Sequence, residues 1–80
     1  MSYKLSSAEL ELRANGVPKV GILSQFENGN FVDYFAPMID EIYVTDPETG
    51  SYRFTTEHEA EAGAKRYQKS VRERLANTST

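Results

Sequence analysis

Ala60, Ala64, Tyr67, Val71 and Leu75 recur at spacings of four, three, four and four near the end of the chain. Positions so spaced share one side of a helix, so the last third of the chain must form a helix whose apolar stripe needs a surface to cover. Thr56-Glu57-His58-Glu59 reads as its capping box, in which the threonine hydroxyl takes an early helical amide and the second glutamate reaches back to the cap. The helix is expected over about residues 57–76, with 77–80 as a flexible tail. Glu57, Glu59 and Glu61 come before Lys65, Arg66, Lys69, Arg72 and Arg74, the order that complements the helix dipole. Most of that basic run therefore reads as a solvated face. Gly63 and Ala62 are small, which either allows close packing or merely weakens the helix.

Upstream the pattern turns to strands. Asn28-Gly29 suits a two-residue type I′ turn, pairing Val20–Phe26 with Phe31–Phe35 and setting Phe26 against Phe31. Asp46-Pro47-Glu48-Thr49-Gly50 is a second turn, with strands expected over 42–45 and 51–55 and with Ile42, Val44, Tyr52 and Phe54 on the helix side. Residues 36–40 then connect the two hairpins. Residues 8–13 alternate strictly, which favours a first strand. The competing reading takes Ser6 as cap, Glu9 as its box partner and Leu5 with Leu10 as a staple, giving a short helix ended by Gly16. The fold class is α+β: an antiparallel sheet of four or five strands with one long C-terminal helix packed on one face, forming a single compact domain over residues 1–76.

A chain of 80 residues buries only roughly 60% of the surface it exposes when unfolded, so one sheet-and-helix interface has to hold it. It has no cysteine, which removes disulfides and thiolate metal sites and favours a cytoplasmic setting. Its start carries no apolar signal region, and no run is long enough to span a membrane.

The formal charge of −3 is unevenly spread: residues 1–56 hold four bases against eight acids, residues 57–80 five against four. Between Lys19 and Arg53 there is no base at all, while Glu27, Asp33, Asp40, Glu41, Asp46 and Glu48 stand among aromatic residues. Unopposed charge of one sign leaves a field that attracts its opposite, so this stretch is expected to meet a basic partner. Nucleic acid asks for a basic face instead, so direct binding by the sheet is disfavoured.

Catalytic templates fail at their geometry-setting residues. His58 is the only histidine, and helical neighbours at i±1 do not face it, so Glu57 and Glu59 cannot orient it. The acids match no calcium loop, the glycines form no phosphate-binding loop, and no serine sits in a nucleophile elbow. The expectation is a protein that is not an enzyme and needs no cofactor or metal. Nine Phe and Tyr mostly build the core, yet one helix covers one sheet face. Some of Leu23, Val32, Tyr34 and Tyr43 must then face solvent, another protomer or a partner.

Thr45-Asp46-Pro47-Glu48-Thr49-Gly50, followed by Phe54, Thr56, Glu59-Ala60 and a long helix, resembles the ending of the arm-binding domains of tyrosine recombinases. The resemblance implies a hairpin-and-helix shape. It does not extend to DNA contacts, because that family's sheet is basic and this one has only Arg53 on its last hairpin. In size, acidity and lack of cysteine the chain also resembles small accessory proteins of bacterial viruses, including anti-CRISPR inhibitors, which implies an inhibitor working in the cytoplasm of a bacterial host.

The functional expectation is a non-catalytic binding protein that covers a basic surface of a nucleic-acid-handling complex through Asp33, Tyr34, Asp40, Glu41, Tyr43, Asp46 and Glu48. One rival is a small nucleic-acid-binding regulator using Lys65, Arg66, Lys69, Arg72 and Arg74. Another is an assembly subunit that forms a homodimer through its sheet.

Overall fold

The structure is a computed structural model that describes residues 6–78. Its elements run α1 (Ser7–Asn15), β1 (Pro18–Glu27), β2 (Asn30–Ile39), β3 (Ile42–Tyr43) and α2 (Glu57–Thr78). The strands make one antiparallel sheet in the order β1-β2-β3. The α+β class and the long final helix are as expected. Among the described residues the sheet has three strands rather than four or five.

Helix α2 buries the stripe its spacing foretold: Ala60, Ala64 and Val71 are buried, with Tyr67 and Leu75 half-buried beside them. Its cap is in place, since Thr56 Oγ1 accepts from the Glu59 amide at 3.2 Å and the Thr56 carbonyl from Ala60. The helix continues through Thr78, so Asn77 and Thr78 are helical rather than a loose tail; Ser79 and Thr80 lie outside the described residues. At Gly63 an added Cβ would sit 3.2 Å from the Phe54 ring, which explains the small residue there.

The favoured strand over residues 8–13 is overturned. These residues are helical, with Ser6 Oγ accepting from the Glu9 amide and the Leu10 amide bonding the Ser6 carbonyl. Leu5, the other half of the expected staple, lies outside the described residues. The alternation misled because Leu10 and Ala14, four apart, are the buried pair, while Leu12 is exposed. Leu10 and Ala14 pack on Val71, Tyr67 and Leu75 of α2. A helix of this length is marginal alone. Its last carbonyls are held by α2: Gln68 Nε2 donates to Arg13 O at 3.2 Å and Gly16 O at 2.7 Å, and Arg72 Nε to Ala14 O at 3.1 Å. Gly16 then passes close beneath the sheet, where a Cβ would fall 2.5 Å from Ile39 Cγ2 and 2.6 Å from Asp40 Oδ2.

Strands β1 and β2 pair without interruption from Pro18↔Ile39 to Glu27↔Asn30, and Phe26 faces Phe31 as the turn required. Asn28 and Gly29 take positive φ of 51° and 84°. Residues 36–39 extend β2 and are not a connection between hairpins. Pro37 explains why β3 is so short. Val44 donates to its carbonyl at 3.0 Å, but proline has no N–H to return, so the ladder stops after Met38↔Tyr43 and Ile39↔Ile42.

The Asp46–Gly50 turn forms, with Gly50 at φ 73° and its amide on the Asp46 carbonyl. Its flanks do not make a ladder with each other. Both lie along β2 instead, the later one through a single bridge, Phe35↔Phe54. Val44 and Phe54 turn inward as expected, whereas Ile42 and Tyr52 are exposed.

Candidate functional site

Pleating divides the sheet into two faces. Phe54 packs on Gly63, and Ile39 clusters with Val44, Ala64 and Tyr67, so Phe35, Pro37 and Ile39 face the helices. Their cross-strand partners Ile22, Val20 and Pro18 share that side. Tyr34, Ala36 and Met38 therefore face away, together with Lys19, Gly21, Leu23, Gln25 and Glu27 of β1 and Tyr43 of β3. No described helix covers this second face.

This bare face is built from aromatic, sulfur and guanidinium groups. Met38 and Tyr43 fold over the Gly21–Ala36 pair: a Cβ at Gly21 would meet Met38 Sδ at 2.5 Å and Tyr43 Cε1 at 3.3 Å, and Ala36 is fully buried. The Tyr43 hydroxyl reaches across to the Ile22 carbonyl at 3.4 Å. Further along, the Arg53 guanidinium lies 4.7 Å from the Tyr34 ring centre and 5.8 Å from that of Tyr52. It also meets Glu27 Oε2 at 3.2 Å. The Tyr34 hydroxyl donates to the same carboxylate at 2.8 Å. That bond pushes the Tyr34 phenol above its ordinary range, because ionising it would set two negative charges together. Gln25 Nε2 donates to the Tyr52 hydroxyl at 3.3 Å. Tyr43 and Tyr52 remain about half exposed, and Val32, opposite Gln25 on the same face, is exposed too.

The candidate contact residues do not gather as a single acidic surface. Tyr34 and Tyr43 share the bare face, but Asp33 points to the helix side of the hairpin, near Ser24. Asp40 sits in the β2–β3 turn at φ 54° and is structural: its Oδ1 accepts from the Val17 amide at 3.0 Å, and its own amide bonds the Val17 carbonyl at 2.9 Å. Glu41 beside it lies 3.7 Å from Lys19 Nζ.

Asp46 is fully buried, so it is not an accessible contact. Arg66 Nε donates 3.1 Å bonds to both of its carboxylate oxygens and Nη2 makes a further one, while the Glu48 amide donates to Oδ1 at 2.9 Å. The Arg66 bonds hold the Asp46 carboxyl down at about 2, against the desolvation that opposes ionisation. Glu48 stands 3.4 Å from the same guanidinium. The bases missing from residues 20–52 thus return in space as Lys19, Arg53 and Arg66.

The helix-face alternative loses members in the same way. Arg66 holds Asp46, Arg72 caps α1, and Lys65 pairs with Glu61 at 3.0 Å. His58 is exposed in the first turn of α2. Among the described residues, no three His, Cys, Asp or Glu are gathered so as to hold a metal ion, and no helix is long and apolar enough to cross a membrane.

Sequence reasoning missed Tyr52, Arg53 and Met38 as members of the bare face. The available signal was Arg53 itself, a lone base opposite a basic-free stretch, but its neighbours depend on the Phe35↔Phe54 bridge. Comparison with protein families, with curated proteins and with solved structures finds no match for this chain.

Proposed function

We propose that this protein is a non-catalytic binding module that docks on a protein partner through the bare face of its sheet. The observation that carries the reading is the make-up of that face: Tyr34 and Tyr52 around Arg53, with Tyr43 and Met38 further along the sheet over Gly21, and Val32 on the same side, away from both helices. Tyr, Arg and Met are the residues enriched where proteins bind one another, and Tyr and Arg dominate binding energy there. Charge plays a smaller part than the sequence suggested, since Glu27 and Glu41 on this side already have Arg53 and Lys19. The net charge of −3 still favours encounter with a basic partner. A surface on a nucleic-acid-handling complex, covered in the manner of phage-type inhibitors, is the partner class that this charge suggests.

Immobilised protein exposed to nuclease-treated bacterial lysate tests the reading, with Tyr43→Ala and Tyr52→Ala run in parallel and each checked for native circular dichroism. Nuclease-resistant recovery of a partner, reduced about tenfold by either substitution, is expected for hot-spot tyrosines. Recovery that vanishes with nuclease and depends on Lys69 and Arg74 would replace this reading with the nucleic-acid-binding regulator.

A further inference from the structure

Strand β1 has a neighbour on one side only: among the described residues no strand pairs with its outer edge. The direction of its backbone groups follows from β2. Phe35 exchanges both its amide and its carbonyl with Phe54, at 2.9 and 2.7 Å, so these groups point away from β1. Ile22↔Phe35 is then a non-hydrogen-bonded pair of the β1–β2 ladder, and the N–H and C=O of Ile22 point out of the sheet. By alternation so do those of Val20, Ser24 and Phe26. The Val44 bond to the Pro37 carbonyl, opposite Val20, fits the same phase.

Natural sheets guard such an edge with proline, bulges or charges. The middle of β1 has none of these. Within β1 no proline follows Pro18, the register with β2 has no bulge, and no charged residue lies between Lys19 and Glu27. On the helix side the same stretch leaves Ile22 and Phe26 more than half exposed.

We propose that two copies of this chain join edge to edge through β1, antiparallel, as a continuous six-stranded sheet with Leu23 on the two-fold axis. Two registers keep almost the whole strand paired without flipping its faces. Centring on Ile22 sets Pro18, which has no N–H, against Phe26 and loses a bond at each end, while Lys19 meets Gln25. Centring on Leu23 places Val20 opposite Phe26 and Ile22 opposite Ser24, so every outward N–H and C=O from Val20 to Phe26 finds a partner. It also sets Lys19 of each copy opposite Glu27 of the other, so that the ammonium, exposed and only loosely held by Glu41 at 3.7 Å, can join the Glu27–Arg53 pair of the other copy, and it sets Leu23 against its own copy. Phe26 comes to rest beside Val20 at the other copy's anchored end. The strand is self-complementary in backbone, charge and apolar contact in that one register, which is what an isologous interface requires. This inference stands apart from the bare-face reading, because edge pairing leaves that face open and doubles it.

Light scattering on the purified full chain reads the mass, and three substitutions read the register. The wild type is expected to be a dimer at micromolar concentration. Ser24→Pro removes an outward N–H and none from the β1–β2 ladder, so it should give a monomer with unchanged circular dichroism. The chain has no native cysteine. Leu23→Cys places two introduced thiols about 4.5 Å apart between Cα atoms, within disulfide reach, and should cross-link on oxidation. Gln25→Cys places them roughly 14 Å apart and should not. A wild type that stays monomeric to millimolar concentration overturns the proposal. So does cross-linking through Gln25→Cys in preference to Leu23→Cys. A monomer whose partner binding is abolished by Ser24→Pro overturns it in favour of an extended segment of another protein on the same edge. Tyr52→Ala should leave the mass unchanged, which separates this test from that of the bare face.

Discussion

Near its open end the β1–β2 hairpin is roofed by helices, and Pro37 and Ile39 are fully buried there. Near its turn the same face carries Phe26 and Phe31 at 65% and 74% exposure, their rings meeting edge-on at 5.2 Å. The two halves share one register, one alternation and one kind of side chain. What differs is the cover: α2 meets Ile39 and Val44 through Ala64 and Tyr67 and Phe54 through Gly63, and α1 extends that roof by packing on α2. An apolar alternation in a strand therefore says which face is apolar. It does not say whether the chain itself has the means to cover that face.

The sharpest way to break this comparison is to truncate one side chain in each half. Ile39→Ala at the roofed end should cost about 3–4 kcal/mol in chemical denaturation, because the cavity is walled by Val44, Ala64 and Tyr67. If its cost were no larger than that of a change near the turn, the division into anchored and projecting halves would fail.

Asp46 is a second anchor, tying the loop after β3 to α2. Asp46→Asn leaves Arg66 with only the exposed Glu48 as a charge partner and should cost about 2 kcal/mol, less than for a fully buried pair because Arg66 is about one-third exposed. The sign of the pH dependence follows from the depressed carboxyl, which falls from 3.8 to about 2 on folding. Its contribution is complete above pH 4 and is lost as pH falls toward 2, since the unfolded chain binds the proton first. Wild-type stability should therefore drop by about 1–2 kcal/mol across that window after discounting for solvent screening, and the drop should shrink in Asp46→Asn.

Gln68→Leu strips Arg13 and Gly16 of their donor and should cost about 1–2 kcal/mol, with amide exchange rising first in α1. The smallest effect is expected at the projecting end, where Phe31→Ser should change monomer stability by less than about 1 kcal/mol.

Much of this architecture was legible from local pattern. The capped helix with its stripe, the Asn28-Gly29 turn with Phe26 against Phe31, and the Asp46–Gly50 turn each depend on residues close in sequence. Legible too was that some of Leu23, Val32, Tyr34 and Tyr43 lack a cover, which followed from setting one helix against two faces and holds because the second helix, α1, packs on α2. The failures have one physical source. Residues 8–13 became a helix because Leu10 and Ala14 dock on Val71, and that contact outweighs the period-two alternation. The 51–55 strand shrank to a bridge at Phe54 because Pro37 cannot continue the ladder and Asp46 is held by Arg66. The acidic stretch was half neutralised by Lys19, Arg53 and Arg66, all outside it. Tyr52 and Arg53 joined the candidate face through the Phe35↔Phe54 bridge, which no local pattern announces.

The carbonyls that end α1 have a further consequence for how the chain is made. Their donors, Gln68 and Arg72, lie 55 and 58 positions beyond Arg13 and Ala14. During synthesis the first helix emerges long before the side chains that cap it, and a nine-residue segment does not hold its shape alone. Helix α1, made before the sheet and α2, is thus the last of these elements to consolidate, closing the domain when α2 is nearly complete. Nascent chains stalled before Gln68 should show unprotected amides from Leu10 to Ala14, and protection there at that stage would refute this order.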